Sequence, residues 1–182
     1  EIILDTGRIG PDYLPGHAHR DTSKFVLCAK EKPFIVDTGI STYNPTKRRQ
    51  IERSTSSHNT VQVGNFEQSE IWSSFRVARR AYPQIEKDTE NEITARLNFA
   101  TTNATHHRQF KFYKNKIVIN DSINAKENGK AFLHFHPSVK VEIEGDQIKT
   151  NLGEINIDGA GRIELLDYEY APEFNTLIKT KK

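Results

Sequence analysis

Glu92-Ile93-Thr94-Ala95-Arg96-Leu97-Asn98-Phe99 is the stretch that decides the fold. Ile93, Ala95, Leu97 and Phe99 alternate with Glu92, Thr94, Arg96 and Asn98. A period of two turns one face of a strand to a core and the other to water. The same period recurs further along, where Val139, Val141 and Ile143 alternate with Lys140, Glu142 and Glu144. Residues 24–29, 33–37, 59–63, 74–81, 107–113, 116–120, 130–136, 147–150, 154–157 and 161–168 read as further strands. Between them stand residues that tolerate positive φ: Lys114-Asn115, Asn128-Gly129, Gly145-Asp146, Asn151-Leu152-Gly153 and Asp158-Gly159. Many short strands with close turn signals predict an all-β fold, an antiparallel two-sheet β-sandwich of jelly-roll type with little helix. One helical turn is expected over Thr46 to Arg53, with Asn44 as its cap and Pro45 at the first position. The tail Thr180-Lys181-Lys182 is expected to fray.

The 182 residues are enough for one domain, 1–182, with a sizeable core. Lys and Arg number 26 against 24 Asp and Glu, a net charge of +2. That balance lacks the basic excess of a dedicated nucleic-acid binder. A single cysteine excludes an internal disulfide. Cys28 follows Phe25-Val26-Leu27 and is expected to be an inert core thiol. No apolar stretch approaches the length of a membrane span, and no signal peptide is evident. The sequence begins with Glu1 and contains no Met, which reads as part of a longer protein.

The unusual residues concentrate in the first third. Gly10-Pro11-Asp12-Tyr13-Leu14-Pro15-Gly16 is too rich in Gly and Pro for a regular element and reads as a shaped loop. His17-Ala18-His19-Arg20-Asp21 follows, and in extended chain His17, His19 and Asp21 point the same way. Phe34-Ile35-Val36 then ends in Asp37, before Thr38-Gly39, and Ser57-His58-Asn59-Thr60-Val61 opens another strand. A buried carboxylate after three apolar residues needs a cation or donors. Two imidazoles and a carboxylate on separate strand ends are suitable zinc ligands. Ordinary histidines and a hydrogen-bonded Asp account for the same spacing, and spacing by itself favours that simpler account.

The ordered motifs Gly10-Pro11-Asp12-Tyr13-Leu14-Pro15-Gly16-His17-Ala18-His19-Arg20-Asp21, Val36-Asp37-Thr38-Gly39, Tyr43-Asn44, Arg53-Ser54-Thr55-Ser56-Ser57-His58-Asn59-Thr60-Val61 and Gln68-Ser69-Glu70-Ile71-Trp72 resemble the heparinase II/III-like family. Two positions depart from it: Thr38, where the family usually has Pro, and Lys24, where it usually has an apolar or small residue. The second half of the chain matches only as a generic strand pattern. Members of the family pair an N-terminal α/α toroid with a C-terminal β-sandwich. The resemblance implies that this chain is the sandwich without the toroid, and that it is inactive without it. It implies that His19, Asp37 and His58 hold a mainly structural zinc ion, with water as fourth ligand, and that His17 faces the sugar cleft and assists catalysis. The reaction implied is polysaccharide lyase chemistry, β-elimination on an acidic, uronic-acid-containing polymer such as a glycosaminoglycan or alginate. The acid/base Tyr and its Asn or His partners would lie in the toroid. A periplasmic or secreted bacterial setting is implied in the same way.

Arg76 and Tyr43 are the candidate substrate contacts, because Arg binds carboxylate and sulfate in bidentate fashion and Tyr stacks on sugar rings. Arg48, Arg49, Arg53, Arg79 and Arg80 could do the same, but for most of these arginines solvated surface is the preferred reading. Trp72 could stack on sugar or fill the core. His106, His107, His134 and His136 read as structural, since adjacent strand positions face opposite ways. Asp21 is a candidate to orient a histidine ring, with a loop cap as an equal alternative. Two other functions fit the residues. His19 and Asp21 with a distal His58 mimic the facial triad of a non-haem iron oxygenase on a jelly roll. A non-catalytic glycan-binding or structural domain of a surface-polysaccharide cluster is the third reading.

Overall fold

The computed structural model describes residues 1–182. Sixteen strands and one short α-helix, α1 (Lys47–Glu52), make up the regular structure, with single 3-10 turns at Pro15–His17 and Thr55–Ser57. A three-stranded antiparallel sheet joins β1 (Ile2–Asp5), β2 (Lys24–Ala29) and β3 (Lys32–Ile35). A four-stranded meander runs β10-β9-β8-β7, from β7 (Pro83–Thr89) and β8 (Glu92–Asn98) to β9 (Thr105–Tyr113) and β10 (Lys116–Asn124). A third sheet holds β12 (Val141–Glu144), β13 (Gln147–Thr150) and β14 (Glu154–Asn156). Two-stranded ladders pair β4 (Val61–Val63) with β11 (Gly129–Ala131), β5 (Ile71–Trp72) with β6 (Arg76–Val77), and β15 (Asp167–Tyr170) with β16 (Ile178–Lys181).

The alternation in β8 works as its sequence requires. Ala95 and Leu97 are buried, while Asn98 faces water. Two apolar clusters form between the sheets. The larger holds Phe25 of β2, Phe34 and Ile35 of β3, Phe110 of β9, Phe135, Val139, Ile148 of β13 and Leu152. The smaller packs Val63, Leu97, Phe99, Ala81 and Ala104 against Ile9 and Ala18 of the N-terminal loop. Side chains of several sheets thus fill two apolar clusters, in keeping with the all-β sandwich that the period of two predicts.

Several expectations change. Cys28 is exposed, because Phe25 and Leu27 take the inward positions of β2 and the next residue faces out. The helix is capped by Thr46, whose hydroxyl accepts the Arg49 N–H at 3.4 Å, and not by Asn44. The tail does not fray. β16 pairs with β15, and Thr180 is buried with its hydroxyl donating to the Phe135 carbonyl at 3.1 Å. Strand structure in the last predicted segment begins only at Asp167.

Gly39 explains how the C-terminal segment reaches the N-terminal third. It forms a parallel bridge to Ala171, and a Cβ there would lie 2.0 Å from the Ala171 carbonyl oxygen. Its φ of +78° is also one that side-chain-bearing residues rarely adopt.

Candidate functional site

Three segments converge beside the β1-β2-β3 sheet: the loop through His17 and His19, the end of β3 at Asp37, and the turn before β4 at His58. Polar side chains that cross between segments add to the apolar packing of Ala18 and Ile35 in fixing them. Arg53 is fully buried and donates to the Ala18 carbonyl at 2.8 and 3.0 Å, to Gly16 at 3.2 Å, and to Ser74 at 2.8 Å. It therefore grips the backbone on both sides of His17. Asn59 donates to the carbonyls of Phe25 and Val36 at 2.8 and 2.9 Å, and its oxygen accepts from the His134 backbone at 2.7 Å. Arg108 clasps Asp121 at 2.7 and 2.8 Å and donates to the carbonyls of Ser23 and Asn59 at 2.9 and 2.7 Å. Gln68 accepts the Thr22 N–H at 3.0 Å and donates to the Thr22 carbonyl. Each of these residues is nearly or wholly buried, so an unmade bond would be costly.

Within this frame the candidate ligands meet. The His58 Nδ1–H donates to Asp37 Oδ2 at 2.9 Å. The rings of His19 and His58 lie 5.3 Å apart. Lys24 reaches across the cluster, its ammonium 2.6 Å from Asp21 Oδ2 and 3.0 Å from Asp37 Oδ2. The Arg49 guanidinium donates to His19 Nε2 at 3.1 Å, which leaves the ring proton on Nδ1. His58 Nε2 is buried without a partner.

The electrostatics follow from this packing. Burial raises the Asp37 carboxyl, but the His58 ring and the Lys24 ammonium outweigh it and hold the group well below the ordinary range. Asp21 is likewise lowered against the effect of burial, by His58 and Lys24. Burial opposes the charge on Lys24, yet the two carboxylates win and raise it above the ordinary lysine value. His19 is pushed down to about 3, first by burial and then by the neighbouring His58.

The donor chemistry suits zinc: one ionised carboxylate and two imidazoles. The 2.9 Å between Asp37 Oδ2 and His58 Nδ1 is close to the edge of a zinc tetrahedron with ligand bonds of about 2.0 Å, an edge of about 3.3 Å. As the side chains stand, no three His, Cys, Asp or Glu form a group that could hold a metal ion. The lone pairs are taken by Lys24 and Arg49 instead. The donor types thus suit a zinc ion, while Lys24 on Asp37, Arg49 on His19 and the His58 Nδ1 proton hold the places that a metal would need. The iron triad fits less well, since His58 bonds Asp37 and not Asp21.

Above the cluster opens a cavity of about 630 Å³, lined among others by His17, His19, Asp21, Lys24, Asp37 and Glu173. His17 is exposed and stands edge-on to Tyr43 and Phe75, with ring centroids 5.4 and 5.3 Å away. Tyr43, 40% exposed, also packs on Phe174 and lies under the Arg49 guanidinium. Arg76 is exposed on β6 opposite Trp72, itself 48% exposed and so outside the core. The structure therefore brings His17, His19, Asp37, His58 and Tyr43 to one place. Arg76 lies one residue beyond Phe75, which touches His17, and outside the cavity lining.

Among the other arginines, Arg49 and Arg53 are wholly buried and not solvated surface. Arg48 is held by Glu52 and Glu169, Arg79 by Glu70 and Arg80 by Asp12. Sequence reasoning missed Arg53, Asn59, Gln68 and Arg108 as positioning residues. The only signal was indirect: Ser54-Thr55-Ser56-Ser57-His58-Asn59-Thr60 lacks an apolar residue, yet its members from Ser57 to Thr60 are all buried.

Residues 1–177 match the family described as heparinase II/III-like, C-terminal. No curated protein and no solved structure matches the chain. A match over nearly the whole length, on a sandwich that assembles the quoted motifs, means that the chain belongs to the heparinase II/III-like C-terminal domain family.

Proposed function

We propose that this domain forms one wall of the active site of a polysaccharide lyase that cleaves uronic-acid-containing polymers by β-elimination. The observation that carries the reading is the position of His17: an exposed imidazole at the cavity mouth, on a backbone gripped from below by the buried Arg53.

In β-elimination a base takes the proton at C5 of the uronate. The C4–O bond then breaks with its electron pair, a C4–C5 double bond forms, and an acid protonates the departing oxygen. Negative charge builds on the C6 carboxylate as the proton leaves, so a preorganised donor aimed there lowers the barrier. His17 can donate such a hydrogen bond or shuttle a proton, and its fixed backbone keeps the ring in place. Tyr43, beside it, offers an exposed ring face for a sugar, and Arg76 a free guanidinium for a carboxylate or sulfate further along the polymer.

His19, Asp37 and His58 would hold a zinc ion, whose fixed charge would tie the three segments together when bound. The cavity lining has four carboxylates, Asp5, Asp21, Asp37 and Glu173, against two cations, Arg8 and Lys24. A polyanion approaching it is helped by added positive charge. The remaining acid/base groups are expected from the protein's toroid domain, and a periplasmic or extracellular setting suits a polymer substrate of this kind. No helix is long and apolar enough to cross a membrane.

The test is to incubate the full-length protein with heparan sulfate, alginate and other uronate polymers and to follow the ultraviolet absorbance of the conjugated double bond. A rise on at least one polymer is expected. Saturable binding with no rise on any of them would select a glycan-binding role instead.

A further inference from the structure

We propose that Lys24 is the resident cation of the cluster, occupying the Asp37 oxygen that a divalent metal would take and competing with the metal for it. The inference rests on the zinc reading for the identity of the competitor.

Asp37 Oδ2 already accepts the His58 Nδ1–H at 2.9 Å and the Lys24 ammonium at 3.0 Å. A metal between that oxygen and the His58 ring nitrogen would replace the Nδ1 proton, and its charge would stand beside the ammonium. His58 is completely buried, and Asn59, next in the chain, is bonded to three other segments. Lys24 is the one able to go. Its side chain is 24% exposed, it borders the open cavity, and its four-carbon stem is flexible. Its single charge bridges two carboxylates from different segments, Asp21 before β2 and Asp37 after β3. That bridge does part of the neutralising that a metal ion would do, so the segments stay clamped while the protein is metal-free. An ammonium about 3 Å from the same oxygen is also strongly repelled by an arriving dication. Arg49 on His19 Nε2 adds a second, weaker guard, because the guanidinium must withdraw before that nitrogen can bind a metal. The cluster therefore has two discrete states, lysine-in and metal-in, and the identity of residue 24 sets the balance between them.

The experiment compares full-length wild type with Lys24→Ser and Lys24→Met, each stripped of metal by a chelator. Zinc affinity is measured by titration against a chromophoric competitor, and the melting temperature of each is recorded with and without zinc. Lys24→Met retains much of the stem's bulk, so a change shared with Lys24→Ser reports the charge. Both variants are expected to bind zinc at least about tenfold more tightly than wild type. Both should melt lower than wild type when metal-free, and zinc should restore them. Equal zinc affinity in all three proteins overturns the competition and leaves the zinc reading standing. Failure of all three to bind zinc overturns both. Metal-free variants that melt with wild type overturn the clamp.

Discussion

His58 and Asp37 are joined across two segments, Nδ1–H donating to Oδ2 at 2.9 Å, with the ring wholly buried and the carboxylate partly open to the cavity. This bond links the end of β3 to the turn before β4 and orients the ring. Asp37→Asn keeps the shape but removes the charge that Lys24 and His58 face. A loss of about 2 kcal/mol of stability is expected, the cost of a charged hydrogen bond at a site with some solvent access. Urea denaturation of wild type and variant checks it.

Arg53 is the residue on which the His17 loop hangs. Replacing it with Met leaves the carbonyls of Gly16, Ala18, Ser73 and Ser74 without their donor. Arg53→Met should cost about 3 kcal/mol, since several buried carbonyls lose a bond to a charged group. Lyase turnover should fall as well, even at temperatures where the variant remains folded. Denaturation and turnover measured on the same preparation separate the two effects.

Acid should loosen the fold through its buried histidines before it reaches the carboxylates. Burial pushes His134 down to about 3, with Lys182 adding to the effect, and His19 is held at about 3. Both rings take up a proton near pH 6.5 when unfolded, but not until near 3 when folded. The stability gained by keeping them neutral is full above about 6.5 and declines as pH falls toward 3. Each contributes a slope of up to about 1.4 kcal/mol per pH unit. Urea midpoints between pH 7 and 4 should fall steeply in wild type. His134→Gln should be less stable at pH 7 but show a shallower slope.

Much of the fold was legible because apolar residues carried it. The alternation in β8 and in Val141–Glu144, and the turns after Tyr113 and Glu144, were visible in residue type. The edges were not. β16 is Ile178-Lys179-Thr180-Lys181, whose charged outward residues conceal a buried Thr180, and β7 is exposed along most of its length. At the site, His17, His19, Asp37 and His58 stood out as rare, chemistry-bearing types in ordered motifs. The residues that hold them did not. α1 buries Arg49 and Glu52 and exposes Ile51, the reverse of an amphipathic pattern, because Glu52 accepts from Ser41 and Arg48 while Arg49 turns to His19. Binary patterning cannot reveal a core that includes buried charged side chains bonded to neighbouring segments.

The exposed imidazole of His17 is proposed to take part in eliminative cleavage of a uronate polymer. The most direct measurement compares full-length wild type with His17→Ala on the polymer that gives the largest rise in ultraviolet absorbance. Because the ring is exposed, the variant should melt within about 0.5 kcal/mol of wild type in stability. Its turnover should fall at least about a hundredfold. Turnover equal to wild type in a folded His17→Ala protein would contradict the account.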